Sequence, residues 1–318
     1  MARFGASHVW RKLGEVFTLR AHGKPWMKSH AILPTPLLKD EIIRVYFTSR
    51  DQSGMSRVSF VDLERSDPAR VVNVPDDPIL GLGQPGTFDD SGTLTNFVMA
   101  AGDTLSLYYH GYNRRVVVPW SSSIGLAASE DGGATFRKVF PGPIVGPTPH
   151  EPYFAVGAWI LRDGPRLRMW YASGTAWLDV GNTALEPLYV IKYAESDDGI
   201  HWEREDITCI EPLDAHEANT RATVIKSTDG YHMWFCYRGS RDFRDGTGAY
   251  RIGYAHSADG IAWRRDDGRA GLQPGGPGSW DSLMQAYPAV LEVDGKLLMF
   301  YNGNGFGAEG FGCAVLER

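Results

Sequence analysis

The sequence predicts an all-β protein, a five-bladed β-propeller, from a repeated aromatic strand and a composition rich in turn residues. The middle residues of this strand are Tyr46, Tyr108, Trp170, Trp234 and Phe300, separated by 62, 62, 64 and 66 residues. A nearly constant period of β-type segments indicates one supersecondary unit repeated along the chain. The 318 residues include 37 Gly and 10 Trp, which suits many short strands joined by tight turns.

Each repeat begins with an innermost strand, and the aromatic strand follows it after a short turn. Asp-Gly occupies this turn in three repeats, which is the usual chemistry of a tight hairpin. An outer hairpin completes the repeat, as at 191–202 and 252–263, and its version at 129–136 fits the turn-stabilising Asp-box pattern. Equivalent positions of the innermost strands lie ten residues before the aromatic marker: Pro36, Val98, Ile160, Val224 and Val290.

The last repeat lacks its outermost strand, while the N-terminal segment 8–13 resembles the outer strands at 200–204 and 261–265. We therefore expect the N-terminal strand to pair into the last blade, which closes the ring and removes two free sheet edges. A single domain over residues 1–318 follows. The longest irregular stretches are predicted to be loops, where binding residues concentrate: 66–90, 173–190, 238–250 and 266–281.

Charge and composition exclude several partners. The formal net charge of −6 argues against nucleic acid or an anionic membrane, since both demand a basic face. No apolar stretch has the length of a membrane span or a signal peptide, so a cytoplasmic protein is expected. Cys209, Cys236 and Cys313 have no metal or disulfide spacing. No cofactor or metal site is predicted, a cation on the axis is left open, and the oligomeric state is not predicted.

Four repeats carry an acidic residue seven to nine positions before their equivalent innermost-strand residue (Val98, Ile160, Val224 or Val290). These acidic residues are Asp90, Glu151, Glu217 and Asp281. Innermost strands surround the axis of a propeller, so we expect these groups to face one another across one cavity. Cleavage of a glycosidic bond uses two carboxyl groups, one that protonates the leaving oxygen and one that activates water or attacks the sugar. The alternative for each residue is a structural role, as a turn cap or a partner of backbone amides.

Other residues are candidates for substrate binding. Arg221 lies within an innermost strand, where burial is costly unless a carboxylate or an anionic ligand pairs with it. Arg50 ends the aromatic strand of the first repeat. Trp177, Tyr153 and Tyr287 offer flat apolar faces for a sugar ring. The remaining candidates are Asp89, which adjoins Asp90, and His30, His150 and Asn302.

Motifs along the whole chain resemble those of a known superfamily: Ser29-His-Ala31, Phe88-Asp-Asp-Ser-Gly92, His150-Glu-Pro-Tyr-Phe154, Trp280-Asp-Ser282 and Tyr301-Asn-Gly-Asn-Gly305. They resemble the five-bladed β-propeller glycosidases grouped around glycoside hydrolase families 32, 43, 62 and 130. The resemblance is greatest to an uncharacterised branch often found with bacterial polysaccharide or sugar-biosynthesis genes. It implies an enzyme that cleaves a glycosidic bond in a small-molecule carbohydrate or glycoconjugate.

The resemblance also implies roles for the carboxylates. Family 43 enzymes carry an Asp base in blade one, an orienting Asp in blade two and a Glu acid in blade three. By this comparison Glu151 is the general acid and Asp90 orients it and tunes its pKa. Blade one offers His30 and no acid, so Glu217, or else Asp281, would act as the base.

Two alternatives stay open from the sequence. The resemblance to family 130 would allow phosphate or another acceptor to replace water, with Arg50, Arg221, His30 and His150 holding the anion. The missing acid in blade one also leaves a non-catalytic, sugar-binding propeller as a third interpretation.

Overall fold

The computed structural model describes residues 8–22, 24–181 and 185–317, and nearly all of its regular structure is β, as the sequence predicted. The chain starts with β1 (Val9–Thr18) and a 3-10 turn at Leu19–Ala21. The next strands form a first unit, β2 (Ser29–Lys39), β3 (Ile42–Arg50), β4 (Ser56–Glu64) and β5 (Val71–Asn73). A second unit contains β6 (Gly92–Ala101), β7 (Thr104–Arg114), β8 (Trp120–Ser129) and β9 (Arg137–Lys138).

Three further units follow. The third contains β10 (Ala155–Asp163), β11 (Arg166–Leu178), β12 (Glu186–Ser196) and β13 (Thr208–Ile210). The fourth contains β14 (Ala218–Ser227), β15 (Gly230–Arg238), β16 (Arg251–Ser257) and β17 (Arg264–Arg265), followed by a 3-10 turn at Asp267–Arg269. The fifth contains β18 (Ala286–Val293), β19 (Lys296–Asn302), a short helical turn at Asn304–Gly307 and β20 (Gly310–Glu317).

Strands that follow one another within a unit pair antiparallel. The first two units share one hydrogen-bonded sheet through a parallel pairing of Ser56 with Gly92. Strand β1 pairs antiparallel with β20, from Val9 opposite Glu317 to Thr18 opposite Gly310. The N-terminal strand is therefore the outermost strand of the fifth unit, which is the pairing that the sequence predicted.

The repeated aromatic residues connect neighbouring units. The Tyr108 hydroxyl donates to the carbonyl of Gly199 in the next unit at 3.0 Å, and the Trp170 indole donates to the carbonyl of Gly260 at 2.9 Å. Both glycines have positive φ and sit in outer hairpins whose serine and aspartate side chains bind the turn amides. The Tyr46 hydroxyl likewise donates to the carbonyl of Gly133 in the second unit at 3.4 Å. The repeated aromatic residues therefore lie at the contacts between neighbouring units.

The first strand of every unit has a β-bulge at the same register. In four units the bulge contains a residue with positive φ: Leu33 (59°), Gly157 (66°), Arg221 (53°) and Tyr287 (56°). In the second unit the irregularity lies between Thr95 and Phe97. A bulge redirects a side chain out of the regular alternation of a strand. Positive φ in non-glycine residues is strained and occurs often at functional sites.

One predicted loop is largely a hairpin. Residues 173–190 were expected to be irregular, but β11 and β12 extend through them until Leu178 pairs with Glu186. The extension is apolar, and Trp177 and Leu188 pack on the cluster that contains Phe154 and Tyr189. In the described ranges, no helix has the length and apolar character needed to cross a lipid bilayer.

Candidate functional site

A cavity of about 610 Å³, the central cavity, lies where the first strands of the five units meet. Each unit contributes a first-strand residue to its lining: Leu33, Leu94, Gly157, Arg221 and Tyr287. Four of these residues are the bulge residues with positive φ. The repeated bulge therefore shapes the wall of this cavity, and its strain is concentrated where a ligand would bind.

The central cavity is strongly cationic although the chain carries a formal net charge of −6. Among the described residues, six arginines and one carboxylate, Glu186, line it. The arginines are Arg50, Arg114, Arg115, Arg221, Arg238 and Arg244. Charges of one sign in a concave, low-dielectric site raise the local concentration of counter-ions. The cavity is thus suited to an anionic ligand that the rest of the surface would repel.

Arg221 reaches across the centre of the molecule. Its Nη1 donates to the carbonyl of Asn96 in the second unit at 2.6 Å. Its Nη2 donates to Thr35 Oγ1 in the first unit at 2.7 Å. The side chain is buried, and Nε has no hydrogen-bond partner among the described residues. Burial without a facing carboxylate lowers the pKa of Arg221 to about 10.

The fourth unit supplies a second buried arginine, Arg238. Its Nε donates to the hydroxyls of Tyr189 at 3.0 Å and Tyr250 at 3.3 Å, and its guanidinium lies 3.9 Å from the centre of the Phe243 ring. The two tyrosine hydroxyls also share a hydrogen bond. Burial raises the pKa of Tyr250 well above its ordinary value, so this phenol is neutral and can donate a proton in a hydrogen bond.

Glu186 is the one carboxylate that lines the central cavity in the described part of the chain. It is buried, and Arg244 binds it through two contacts of 2.5 and 3.1 Å. A bidentate arginine fixes the plane of a carboxylate as well as compensating its charge. Glu186 is therefore held in a defined orientation at the cavity wall.

His110 is a further titratable residue of the cavity. Its Nδ1 lies 2.7 Å from Asn96 Oδ1. Burial and the positive charge of Arg221 lower the pKa of His110 to about 3, so the imidazole is neutral at physiological pH. A neutral ring offers one donor and one acceptor nitrogen.

The carboxylates predicted as an acid–base set lie elsewhere. None of Asp90, Glu151, Glu217 and Asp281 is among the described residues that line the central cavity. Glu151 accepts a hydrogen bond from the Tyr171 hydroxyl at 2.8 Å and faces Arg204 at 3.7 Å. Asp281 accepts from Tyr301 at 2.8 Å and pairs with Lys12 at 2.5 Å. Glu217 is bound through two contacts of 2.5 and 3.2 Å by Arg265.

In the second unit, the carboxylate with the same kind of contacts as Glu151 and Asp281 is Asp89 rather than Asp90. Asp89 accepts from the Tyr109 hydroxyl at 2.9 Å and pairs with Lys138 at 2.5 Å. Asp90 instead accepts from the amide of Gly86 at 2.9 Å and from its neighbour Ser91, as a turn residue does. The expectation that Asp90 and its counterparts meet in one cavity is corrected accordingly. Each buried carboxylate pairs with a basic residue from the outer part of its own unit.

A fixed spacing identifies this arrangement. The carboxylate lies 20 residues before its tyrosine partner in the pairs Asp89–Tyr109, Glu151–Tyr171 and Asp281–Tyr301. In the first unit the residue 20 positions before Phe47 is Met27, and both belong to one apolar cluster. The first unit therefore replaces the polar contact with an apolar one, which explains why no acid stands there.

The predicted substrate-binding residues separate into two groups. Arg50, Arg221 and Tyr287 line the central cavity, and Trp177 packs on Trp120, which also lines it, with ring centres 4.9 Å apart. Asn302 is buried and bonds the Leu33 amide at 3.0 Å, so it fixes β2 against the fifth unit.

His30 and His150 are not among the central-cavity residues of the described chain. His30 contacts Ser29 Oγ at 2.9 Å, and burial and Arg50 lower the pKa of His30 to about 4. His150 lines a second cavity of about 560 Å³ together with Glu151 and Arg204. Tyr153 is 40% exposed.

Sequence reasoning missed several lining residues: His110, Arg114, Arg115, Glu186, Arg238 and Arg244. Arg238 lies four residues after its aromatic marker, as Arg50 does, so the same position in another repeat would have indicated it, whereas His110 and Arg114 lie two and six residues after theirs. Glu186 lay in a segment predicted to be a loop and carried no repeat signal.

One side-chain cluster has a composition compatible with a cation. Potential ligand atoms of Asp229, His232 and His256 in the fourth unit all lie within 4.8 Å of one another. The ring nitrogens of His232 already contact Tyr254 at 2.6 Å and Ser227 at 3.0 Å, and His256 Nε2 lies 3.0 Å from the Asp229 carbonyl. A metal ion there would have to displace these hydrogen bonds.

Comparison with solved structures shows that the chain shares its fold with glycoside hydrolases. A glycoside hydrolase has a TM-score of 0.74 at 15% identity, covering 97% of this protein and 92% of that enzyme. A structure from the GH130 family of mannoside phosphorylases, which contains glycoside hydrolases that target β-1,2 mannosidic linkages in Candida mannan, has a TM-score of 0.66 at 14% identity. This match covers 99% of this protein and 95% of the GH130-family structure. A thermostable family-43 glycoside hydrolase has a TM-score of 0.60 at 14% identity, covering 95% and 92%.

Closer relatives come from Mycobacterium tuberculosis. The uncharacterized protein Rv1502 of strain ATCC 25618 / H37Rv and the uncharacterized protein MT1551 of strain CDC 1551 / Oshkosh are each 39% identical over 312 residues. These matches cover 98% of this chain and the full length of both relatives. The chain belongs to the family of these mycobacterial proteins. No protein-family model matches it.

Proposed function

We propose that this protein is a carbohydrate-active enzyme that cleaves a glycosidic bond in the central cavity. The observation that carries the proposal is the cavity itself, to which all five units contribute and whose volume of about 610 Å³ suits a small ligand. Its wall includes the aromatic rings of Tyr112, Trp120, Tyr287 and Phe306, on which a sugar ring can stack. The shared fold with glycoside hydrolases supports the same assignment.

The arrangement of the whole chain is also part of this proposal. We take the five units as the five blades of one propeller domain over residues 1–318, closed by the pairing of β1 with β20. Closure of this kind removes free strand edges and fixes the inner strands around one axis. A rigid ring supports the strained residues of the cavity wall, which is the arrangement that a preorganised site requires.

Glu186 is the proposed proton-transfer group of this enzyme. A glycosidic bond breaks when an acid protonates the leaving oxygen while a nucleophile forms a bond to the anomeric carbon. Arg244 orients Glu186, and the hydroxyl pair of Tyr189 and Tyr250 lies among the same lining residues as a source of hydrogen bonds to the ligand. For hydrolysis, water supplies the new carbon–oxygen bond and the proton that returns to the protein.

Transfer to phosphate or another anionic acceptor is the second candidate. An acceptor that is already an oxyanion needs no general base, because it has no proton to lose as its oxygen attacks the anomeric carbon. One carboxylate then suffices to protonate the leaving oxygen. Among the described lining residues, six arginines and a single carboxylate favour this reaction over hydrolysis by two carboxylates.

The assignment derived from the sequence is a separate proposal. In it Glu151 is the acid, Asp90 orients it, Glu217 is the base and Asp281 is a fourth member. The resemblance to propeller glycosidases supports it, whereas the pairing of Glu151 with Tyr171 and of Glu217 with Arg265 supports a structural role. A non-catalytic, sugar-binding propeller is the third interpretation.

Turnover of a panel of aryl glycosides and oligosaccharides, with and without inorganic phosphate, tests these proposals. We expect Glu186→Gln to lower kcat/KM by about 100-fold or more, the usual effect of losing a proton-transfer group. Glu130→Gln, an exposed position in an outer hairpin, is the matched control. Release of a sugar 1-phosphate only when phosphate is present identifies the second candidate.

The remaining outcomes separate the other interpretations. Full turnover in Glu186→Gln contradicts its proposed role. Folded Glu151→Gln and Glu217→Gln proteins that lose turnover support the assignment from the sequence. Carbohydrate binding without cleavage of any bond in the panel supports the non-catalytic propeller.

A further inference from the structure

The two sides of the central cavity differ in which groups bind the guanidinium groups of their arginines. On the side of the fourth unit, Arg244 pairs with Glu186, and Arg238 bonds the Tyr189 hydroxyl. On the side of the first two units lie Arg50, Arg114 and Arg115, which we call the cationic sector. No carboxylate lines the cavity on this side in the described part of the chain.

The cationic sector contains guanidinium groups with unused donors. Arg114 donates to the Ser53 carbonyl at 2.8 Å. No ion pair or side-chain hydrogen bond connects Arg50 or Arg115 to another residue in the described ranges. The nearby carboxylate of Asp51 pairs instead with Arg57 at 2.5 Å. Asp51 is therefore already engaged by an arginine outside the cavity wall.

Arg50, Arg114 and Arg115 place three like charges at one wall, and Arg221 adds a buried charge that no carboxylate of the described residues pairs with. Arg114 and Arg115 are exposed and Arg50 is half-buried, so water screens their repulsion in the free protein, while an anion that binds among them meets no competing carboxylate in the described part of this wall. Guanidinium groups are planar, always charged and matched in geometry to carboxylate and phosphate oxygens. An oxyanion on the ligand would supply the counter-charge that these guanidinium groups lack among the described lining residues.

We infer that the carbohydrate bound in the central cavity carries an oxyanion, a carboxylate or a phosphate, seated on Arg50, Arg114 and Arg115. This inference rests on the proposed function, because it assumes that carbohydrate enters this cavity. The anion belongs to the sugar, since the cavity of about 610 Å³ is far larger than a phosphate ion and has an aromatic wall that includes Tyr112 and Trp120. Glu186 lies on the other side, toward the uncharged part of the ligand.

Calorimetric titration of the full-length protein with matched sugar pairs tests the inference. The probes are glucuronate against glucose, mannose 6-phosphate against mannose, and inorganic phosphate alone. We expect at least one anionic sugar to bind about tenfold or more tightly than its neutral partner, the factor that one charge-assisted hydrogen bond supplies. Binding should weaken as the salt concentration rises.

Arginine variants localise the effect. Arg50→Gln and Arg115→Gln should each weaken binding of the anionic sugar about tenfold, because each removes a charged donor while keeping a polar side chain. Arg137→Gln is the matched control, since Arg137 is exposed on the outer strand β9. The three variants should have the same unfolding midpoint as the parent, so that a change in affinity reports on the site.

The outcomes distinguish this inference from the proposal on which it rests. Neutral sugars that bind as well as anionic ones, with affinities unchanged in both arginine variants, overturn the inference and leave glycosidic cleavage in place. Inorganic phosphate that binds as tightly as mannose 6-phosphate also overturns it, because the anion would then not be carried by the sugar. Absence of binding by every sugar of the panel, together with no turnover, overturns both.

Discussion

The Tyr301 hydroxyl lies 2.8 Å from Oδ2 of Asp281 and donates a hydrogen bond to it. Lys12, from the N-terminal strand, pairs with the same oxygen at 2.5 Å. One buried carboxylate therefore joins the start of the first strand of the fifth unit to its aromatic strand and to its outermost strand. In the second unit, Asp89 is bound by Tyr109 and Lys138 in the same way.

This contact predicts that Asp281 contributes to stability. Asp281→Asn removes the charge that Lys12 faces and weakens the hydrogen bond from Tyr301. We expect the free energy of unfolding to fall by about 2 kcal/mol, within the range for disrupting a buried, hydrogen-bonded charge. Urea denaturation at pH 7 measures it.

Glu317→Gln provides the matched control for Asp281→Asn. Glu317 pairs with Arg11 at 3.4 Å, but both side chains are at least half exposed. An exposed ion pair contributes about 0–1 kcal/mol, so this variant should lose clearly less stability than Asp281→Asn. Equal stability of Asp281→Asn and Glu317→Gln would show that the buried contact does not hold β1 in place.

A second, independent prediction concerns Tyr171, the tyrosine that bonds Glu151 in the third unit. Tyr171→Phe removes a hydroxyl that bonds both oxygens of Glu151 while keeping the aromatic ring. We expect a loss of about 1–2 kcal/mol in the free energy of unfolding, the effect of leaving a buried acceptor less well bonded. Thermal and urea unfolding measure it, with Tyr153→Phe as the exposed control.

The fourth unit shows why this loss should be moderate. There the aromatic strand has Phe235 in place of tyrosine, and Arg265 holds Glu217 through two contacts while lying 5.2 Å from the centre of the Phe235 ring. A strong arginine contact therefore substitutes for the missing hydroxyl. A Tyr171→Phe protein as stable as the parent would mean that Arg204 alone holds Glu151.

The repeat made much of the fold predictable. Its period reports which positions are equivalent, so the inner strands, the hairpin turns and the pairing of β1 with β20 could be inferred. The period does not predict the direction of a side chain, because neighbouring strand residues face opposite sides of the sheet. Asp89 and Asp90 are adjacent, yet one bonds Tyr109 and the other closes a turn.

The cavity residues were harder to predict for two physical reasons. A bulge interrupts strand alternation, so Leu33 and Gly157 line the cavity through a backbone geometry that no pattern of polar and apolar residues reveals. Glu186 belongs to an extension of β12 beyond the repeated part of its unit. Arg221 was nevertheless recognisable as unusual, because a charge inside a buried strand requires compensation.

The partly buried His110 predicts a pH dependence of stability. The pKa of His110 is lowered to about 3 in the folded protein by burial and by Arg221, while the unfolded chain keeps a value near 6.5. The unfolded state therefore binds more protons as the pH falls below about 6.5, and stability contributed by the neutral histidine is lost between that value and the folded pKa.

We expect the free energy of unfolding to fall by up to about 2 kcal/mol from pH 7 to pH 5 on account of His110. His110→Asn, which keeps a polar group for Asn96 Oδ1, should flatten this part of the curve. Urea denaturation at pH 5, 6 and 7 checks it, with His201→Asn as the control, because the His201 side chain is 88% exposed. Parallel curves for His110→Asn and the parent would contradict the prediction.

Gly157 is the bulge residue that most directly couples stability to the site. Its φ is +66°, and a Cβ at this position would lie 3.1 Å from Thr220 Oγ1 and 3.5 Å from the Arg221 amide. Gly157→Ala should therefore combine the cost of positive φ, about 1 kcal/mol, with crowding against the neighbouring inner strand. We expect the loss of stability to exceed that of Gly102→Ala, where φ is +63° and the surrounding space is open.

The two alanine variants separate backbone strain from the shape of the cavity. Both incur the conformational cost, but only Gly157→Ala pushes on the strand that carries Arg221 into the cavity. Ligand affinity, measured by calorimetry on folded protein, should fall in Gly157→Ala and stay unchanged in Gly102→Ala. If both variants kept the parent affinity, the bulge would serve the closure of the inner strands alone, and the position of Arg221 would not depend on its neighbour.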